Sequence, residues 1–460
     1  MSLSIPRLTK NSFVFLSHGG RSHTSSHHQE KIISKALPNH GKTTTNINSE
    51  LGKLNGVIVH LPGAEVENMT PENAERALYS DILNLSVALP EYNDFVGVLK
   101  KQTNVFEVKD LLCDIIHSSK VKHTLVSNIC ETEHLQDEDL CEYIENISDA
   151  ELARQLIEGI EMKKNNLTRF LDNEHYWLHP LPNFFFTRDA SFTLGNKAVI
   201  AKMAKRVRDR EAIIMETIFK HHPAFDTITV DPIAKYDKSG KGSIEGGDVL
   251  VARDDILLIG TGIRTTSQGI DALIEYLNTS EGLKHIIIQE IPYKPESFIH
   301  LDMTFTFLDV DKCMIFEPLI IHSTRLLTIH ITLQDGKVTS IKEEKNMLSA
   351  LKSLGMDLEP VLCGGNNDVT IMEREQWQSG ANFFALEPGK VIGYERNRNT
   401  IEALNQKGFE VIPAKDIVNG IVSLDDYKKV VVTIKGNELS RGGGGARCMT
   451  MPINRQKVSW

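Results

Sequence analysis

Residues 248–290 read DVLVARDDILLIGTGIRTTSQGIDALIEYLNTSEGLKHIIIQE. Two short apolar runs, Asp248-Val249-Leu250-Val251 and Ile256-Leu257-Leu258-Ile259, flank Asp254-Asp255, which is a hairpin signal. Residues 268–277 are helical, and Ile286-Ile287-Ile288 is a further strand. The unit is therefore strand, strand, helix, strand. The same rhythm recurs around Val391-Ile392-Gly393-Tyr394, residues 399–407 and Val430-Val431-Val432. Upstream, Ala198-Val199-Ile200-Ala201 precedes a helix through Arg210 and Phe219. Residues 299–307 alternate as a strand would, and Met314-Ile315-Phe316 begins another. A unit recurring every 50–80 residues or so, without sequence identity between copies, predicts an α/β, propeller-like array of structural repeats.

Working outward, structure is expected to begin near Asn46. Gly56-Val57-Ile58-Val59-His60 is a short strand stopped by Pro62-Gly63, and Thr70-Pro71-Glu72 has the residues of a helix start. Residues 94–173 differ in character. Phe95, Val98 and Leu99 keep helical spacing, as do Val108, Leu111, Leu112 and Ile115. Ser148 to Glu151 forms a capping box ahead of Leu152, Leu156 and Ile160. This predicts an all-helical insertion over 94–173, dividing an α/β region of residues 46–93 and 174–460. Residues 1–45 are rich in Ser, Thr, His and basic residues, and Glu30 is the only acid before Glu50. They read as a disordered tail or as a transit segment of mitochondrial type.

The chain has 460 residues and a formal net charge of −10. An acidic balance argues against nucleic acid and anionic lipid as partners, since both select basic patches. No apolar run approaches the roughly 18 residues of a membrane span. The six cysteines, Cys113, Cys130, Cys141, Cys313, Cys363 and Cys448, stand far apart without CxxC spacing. That excludes a disulfide framework or a zinc site and points to a reducing, cytoplasmic compartment, or to an organelle if the first segment is a transit peptide.

Several polar residues stand where a fold does not require them. They are Asn183-Phe184-Phe185-Phe186-Thr187-Arg188-Asp189, Ile244-Glu245-Gly246-Gly247-Asp248, His300-Leu301-Asp302 and the run from Ser440 through four glycines to Arg447-Cys448. In a strand, His300 and Asp302 would share one face; an exposed polar face is the plain alternative. Paired glycines before a strand fit either an acidic turn or backbone in close approach to a ligand. Asp189 could simply pair with Arg188. Gly442-Gly443-Gly444-Gly445 cannot support a helix or a strand. A phosphate loop would need Lys-Ser/Thr after the glycines, and that is missing. Met449, Met451, Pro452 and Ile453 follow instead, so the glycines read as a compact loop that presents Cys448 to a cleft.

One thiol, one His and three or more carboxylates is an odd set for acyl transfer. It suits a planar cation. Asp189 and Asp302 could clamp a guanidinium by paired hydrogen bonds and hold its carbon near sulfur. The cation, and Arg447, would favour the thiolate of Cys448. His300 is the candidate general acid and then base, with Glu245 orienting it.

These four clusters resemble the arginine deiminase family of the guanidino-group-modifying (pentein) superfamily, over residues from about 46 to the C-terminus. The resemblance implies a five-bladed α/β propeller of ββαβ units with a helical insertion, acting on L-arginine without cofactor or metal. It implies Cys448 as nucleophile, His300 and Glu245 as the acid–base pair, and Asp189 and Asp302 as guanidinium clamps. Asn183, Arg208 and Arg264 would hold the substrate α-carboxylate and the backbone of Phe186 its amino group. Two arginines for one carboxylate would select an amino acid over agmatine. Arg447 stands where some members carry His, and Gly443 where some carry Arg; thiolate stabiliser and substrate gate are both open roles for Arg447. Alternatives kept in view are a dihydrolase giving ornithine, a metallohydrolase using His300, Asp302, Glu245 and Asp248, and a non-catalytic arginine-binding module. A homo-oligomer is compatible with the sequence.

Overall fold

The hairpin read at residues 248–259 is present in the computed structural model, which describes residues 43–460 except 136, 278–283, 323–324, 336 and 366–367. Val249–Arg253 pairs antiparallel with Ile256–Thr261, which pairs parallel with His285–Glu290; the helix Ser267–Leu277 crosses between the last two. Both hairpin strands are buried on both faces, so their runs are continuously apolar rather than alternating.

Four other sheets among the described residues contain the same unit of one antiparallel and one parallel pair, the fifth with a further parallel strand, Glu410–Pro413. In the second, Ser191–Leu194, Lys197–Ile200 and Ile228–Val230 surround the helix Asp209–His221. In the fourth, Phe305–Asp309, Lys312–Ile315 and Glu359–Leu362 take the helix Met347–Ser353. In the fifth, Phe384–Glu387, Lys390–Tyr394 and Val430–Ile434 take Arg398–Gln406. The first sheet is made from both ends of the sequence. Met451–Arg455 pairs antiparallel with Leu54–Val59, which pairs parallel with Asn104–Glu107 after the helix Leu85–Gln102. The hairpin Thr328–Gln334 and Lys337–Glu344 extends the third sheet. The fold is mixed α/β.

Two expectations need correction. The stretch 94–173 is not all helix. Asn104–Glu107 is a strand of the first sheet, and Leu85–Gln102 is that sheet's crossover helix. A four-residue strand is too short to display alternation, and Phe95, Val98 and Leu99 show helical spacing whichever sheet the helix serves. Helices foreign to the repeat begin at Val108–Ile116 and continue through Ser119–Thr132, Glu138–Asn146, Asp149–Glu158 and Leu167–Leu171. A small pair, Ile160–Glu161 with Tyr176–Leu178, closes the excursion. Ser148 caps Asp149–Glu158 as its sequence predicts, accepting from the Glu151 N–H at 3.3 Å. These helices share a core with the second sheet: Leu111, Leu112 and Leu156 pack with Ile214 and Met215. Each such side chain contributes about 1.5–3 kcal/mol on burial.

Residues 299–307 are not one strand either. His300 precedes a 3-10 turn, Leu301–Met303, and the strand starts at Phe305. The Asp248 carboxylate takes the Leu301 N–H at 2.9 Å, which draws the backbone out of the extended form. Residues 1–42 of the expected tail lie outside the described residues. No described helix is long and apolar enough to cross a membrane.

Candidate active site

Each sheet has a short irregular segment just before its first strand, and these segments hold the site. Asp189 precedes Ser191, Gly246–Asp248 precedes Val249, Asp302 precedes Phe305, Asn382 precedes Phe384, and Cys448 precedes Met451. Backbone bonds lock neighbouring segments together: Arg188 N donates to Cys448 O at 3.1 Å and Gly246 N to Asp189 O at 3.1 Å. A cavity of ≈ 400 Å³ opens here, lined by Asn183, Phe186, Asp189, Arg208, Arg264, His300 and Cys448 among others. Glu245, Asp302 and Arg447 stand behind these side chains, each buried.

His300 is fully buried, and its Nε2 lies 2.8 Å from Glu245 Oε2. Its Nδ1 makes no hydrogen bond and lies 3.5 Å from Asp189 Oδ1. Burial opposes a charged ring, but Asp189, Glu245 and Asp248 overcome it and raise the imidazole to about 9. Burial would likewise raise Glu245; Arg264 and His300 instead hold it at about 2. The pair is therefore imidazolium and carboxylate at neutral pH. Gly247 makes room for it, since a Cβ there would lie 2.5 Å from His300 Nδ1. The paired glycines serve packing around the ring, with Gly246 equally tight against the Arg188 carbonyl at 2.1 Å.

Asp189 accepts from Arg208 NH1 at 2.7 Å through Oδ2, while its Oδ1 accepts no hydrogen bond. Arg208 is also held by Glu211, with Nε–Oε1 at 3.0 Å and NH2–Oε2 at 2.7 Å. Arg264 is buried with Nε and NH1 making no hydrogen bond, and its NH1 is 3.8 Å from Glu245 Oε1. Asn183 donates its amide to Ala77 O at 2.6 Å, and its carbonyl faces Arg208 NH2 at 3.4 Å. The Phe186 N–H is used by Asn183 O, so its carbonyl, 3.4 Å from Asp189 N, is the backbone group with spare capacity.

Cys448 is 2% exposed. Its Sγ lies 3.9 and 3.8 Å from the two Asp302 oxygens and 3.2 Å from Asn382 Nδ2. Burial first, then Asp302 and Asp189, push this thiol well above its ordinary value, and Arg447 only partly offsets them. Arg447 favours the thiolate, as expected, but is outweighed by burial and the two aspartates. The guanidinium is turned away from the cavity. It donates to Glu50 at 3.0 Å through both Nε and NH2, to Asp302 Oδ2 at 2.8 Å and to Val249 O at 2.9 Å. Its donors are occupied in this way, and Arg447 braces Asp302.

Asn382, Glu211 and Glu50 were missed by sequence reasoning. Glu211 stands three residues after Arg208, a helical pairing distance that could have flagged it. Asn382 interrupts an apolar run, Ala381 to Leu386, which is a weaker sign. Glu50 lies in an ordinary polar stretch with no sign at all.

Asp189, Glu245 and His300 each place one ligand atom within 4.8 Å of the others. Arg208 and Arg264 already pair with the two carboxylates, so a divalent cation would sit against two fixed guanidinium charges. The donor set suits a small ligand with a cationic and an anionic end better than a metal.

Residues 75–455 match the family model described as arginine deiminase. The chain belongs to the arginine deiminase family. Arginine deiminase of Listeria monocytogenes serovar 1/2a is 32% identical over 430 residues, covering 90% of this chain and 98% of that protein. Arginine deiminase of Staphylococcus aureus (strain MRSA252) is 32% identical over 427 residues, with the same two coverages, 90% and 98%. Among solved structures, SxtG, an amidinotransferase of Microseira wollei, aligns at 14% identity with a TM-score of 0.49 over 90% of this chain and 98% of its own. The N-terminal domain of ArgZ, a cyanobacterial arginine dihydrolase bound to substrate, aligns at 13% identity with a TM-score of 0.47 over 87% of this chain and 98% of its own.

Proposed function

We propose that this chain hydrolyses free L-arginine to L-citrulline and ammonia through a covalent thiouronium on Cys448. Family membership supports the reaction. The observation that carries the residue assignment is one cavity shared by Cys448, the bare Nδ1 of His300, the open Oδ1 of Asp189 and the unused donors of Arg264. A ligand with a guanidinium at one end and a carboxylate at the other satisfies these groups together.

The substrate guanidinium bonds Asp189 and Asp302. Its α-carboxylate bonds Arg264 and Arg208 beside Asn183, and its ammonium the carbonyl of Phe186. Its positive charge offsets the two aspartates that hold Cys448 protonated, and the thiol proton passes to Asp302, whose oxygens are adjacent. The thiolate attacks the guanidinium carbon, forming a C–S bond and a tetrahedral adduct. Imidazolium His300 gives its Nδ1 proton to the departing nitrogen, and ammonia leaves. Neutral His300 then takes a proton from water and hydroxide adds to the thiouronium carbon; as the C–S bond breaks the added hydroxyl loses its proton to solvent, giving citrulline and the thiolate, which Asp302 reprotonates. Glu245 holds the ring throughout. The five sheets are, in this reading, five blades about one axis, with the helices from Val108 inserted between the first and second repeats. The wide spacing of the cysteines fits a reducing, cytoplasmic setting.

Product analysis tests the reaction. One citrulline and one ammonia per arginine is expected, and ornithine with two ammonia would overturn it in favour of a dihydrolase. Cys448→Ala should keep the fold, judged by circular dichroism, and form no citrulline; measurable turnover would sink the covalent mechanism. Arg264→Ala should lower the rate ratio of arginine to agmatine by about 10²-fold, the value of a lost charge-assisted contact of roughly 3 kcal/mol. An unchanged ratio would refute the carboxylate assignment.

A further inference from the structure

We infer that Asn382 is a catalytic residue: its side-chain N–H donates to the Cys448 sulfur and stabilises the thiolate that attacks and later departs. The inference rests on the reading of Cys448 as nucleophile and adds a group that reading does not contain.

Asn382 is 1% exposed and stands two residues before the first strand of the fifth sheet. It occupies, in that sheet, the position from which the other sheets supply Asp189, Asp248, Asp302 and Cys448. Its Oδ1 accepts the backbone N–H of Arg447 at 2.9 Å and of Cys448 at 3.2 Å. Two donors on one side fix the amide's orientation, because the amide nitrogen could not face them. Nδ2 must then point the other way, where it meets Cys448 Sγ at 3.2 Å and Asp302 O at 3.0 Å. The loop is shaped around this seat. A Cβ on Gly445 would lie 2.7 Å from Asn382 Cβ and Oδ1, so the glycine there lets the amide reach the cysteine.

A neutral thiol is a weak acceptor and a thiolate a strong one. The N–H to sulfur bond therefore strengthens as charge develops on sulfur. It does so twice, when the thiol is deprotonated and when the C–S bond breaks. Apolar burial and the Asp302 carboxylate at 3.8 Å oppose the anion, and the Gly445 backbone and Arg447 only partly offset them. A fixed amide dipole, already oriented by two backbone bonds, needs no reorganisation to meet that charge.

Asn382 could instead only clasp the loop, and Asn382→Asp separates the roles. The aspartate keeps an oxygen for the two backbone N–H groups and removes the donor to sulfur. Alkylation of Cys448 by iodoacetamide is measured against pH in wild type and variant, with Cys448→Ala as background, beside kcat and KM for arginine. The expected result is a folded variant whose alkylation midpoint moves up by at least about one pH unit, while kcat falls by about 10²-fold and KM changes little. A folded Asn382→Asp protein with unchanged midpoint and kcat would overturn the proposal. If the Asp variant does not fold, Asn382→Ala is read in the same way. The alkylation profile needs no turnover. A wild type that makes no citrulline would therefore fault the reaction, and an unmoved profile would fault Asn382.

Discussion

His300 lies buried among Asp189, Glu245 and Asp248, and that surrounding keeps it protonated to about 9. In the proposed role of acid that releases ammonia it must be charged, so kcat/KM should hold at neutral pH and fall as pH rises through about 9. Glu245→Gln should bring that alkaline limb down by about one pH unit and slow turnover; a limb that stays at 9 would separate Glu245 from the acid. Arg447 depends on Glu50 in the same sense, as a buried cation needing its counter-charge. Glu50→Gln should cost on the order of 3–5 kcal/mol in urea unfolding; a loss below about 1 kcal/mol would mean the brace is dispensable. At this scale the sequence was legible where residue type alone carries chemistry. Asp189, His300 and Cys448 line one cavity, and Glu245 and Asp302 stand behind them. The direction of Arg447 was not legible, because its partner Glu50 is nearly 400 positions away and nothing local marks it.

Among elements, the strand Leu54–Val59 runs into His60, which is fully buried between Glu107 at 2.9 Å and Glu65 at 3.3 Å. Burial works against the charged ring, yet the two carboxylates raise it to about 9. A raised histidine contributes stability that is fully present below the unfolded value near 6.5 and is lost as pH rises through about 9. Thermal unfolding followed between pH 6 and 10 should show a fall in midpoint that His60→Gln reduces, with His300 contributing the remainder; identical profiles would reject the linkage. The helices and the 248–259 hairpin were readable because long periodic runs declare themselves. The strand Asn104–Glu107 and the turn at Leu301–Met303 were not, since the first is too short for a period and the second depends on a bond from Asp248, in another sheet.

At the scale of the molecule, the repeat of strand, strand, helix, strand was visible from the order of apolar runs, and five sheets follow it. What order alone does not reveal is that the first sheet borrows its outer strand from Met451–Arg455. That pairing joins Val57 to Pro452 and Ile58 to Met451, across almost the entire length of the chain. Contacts so distant in sequence are the slowest to form, because a very long loop must close before any bond repays it. Until they form, Leu54–Val59 offers an open apolar edge to other chains. Refolding from denaturant should therefore regain helix and most sheet before it regains activity, and the delay should lengthen into aggregation as protein concentration rises. Cys448, the proposed nucleophile, stands just before this joint, so in that reading assembly and competence become a single kinetic event.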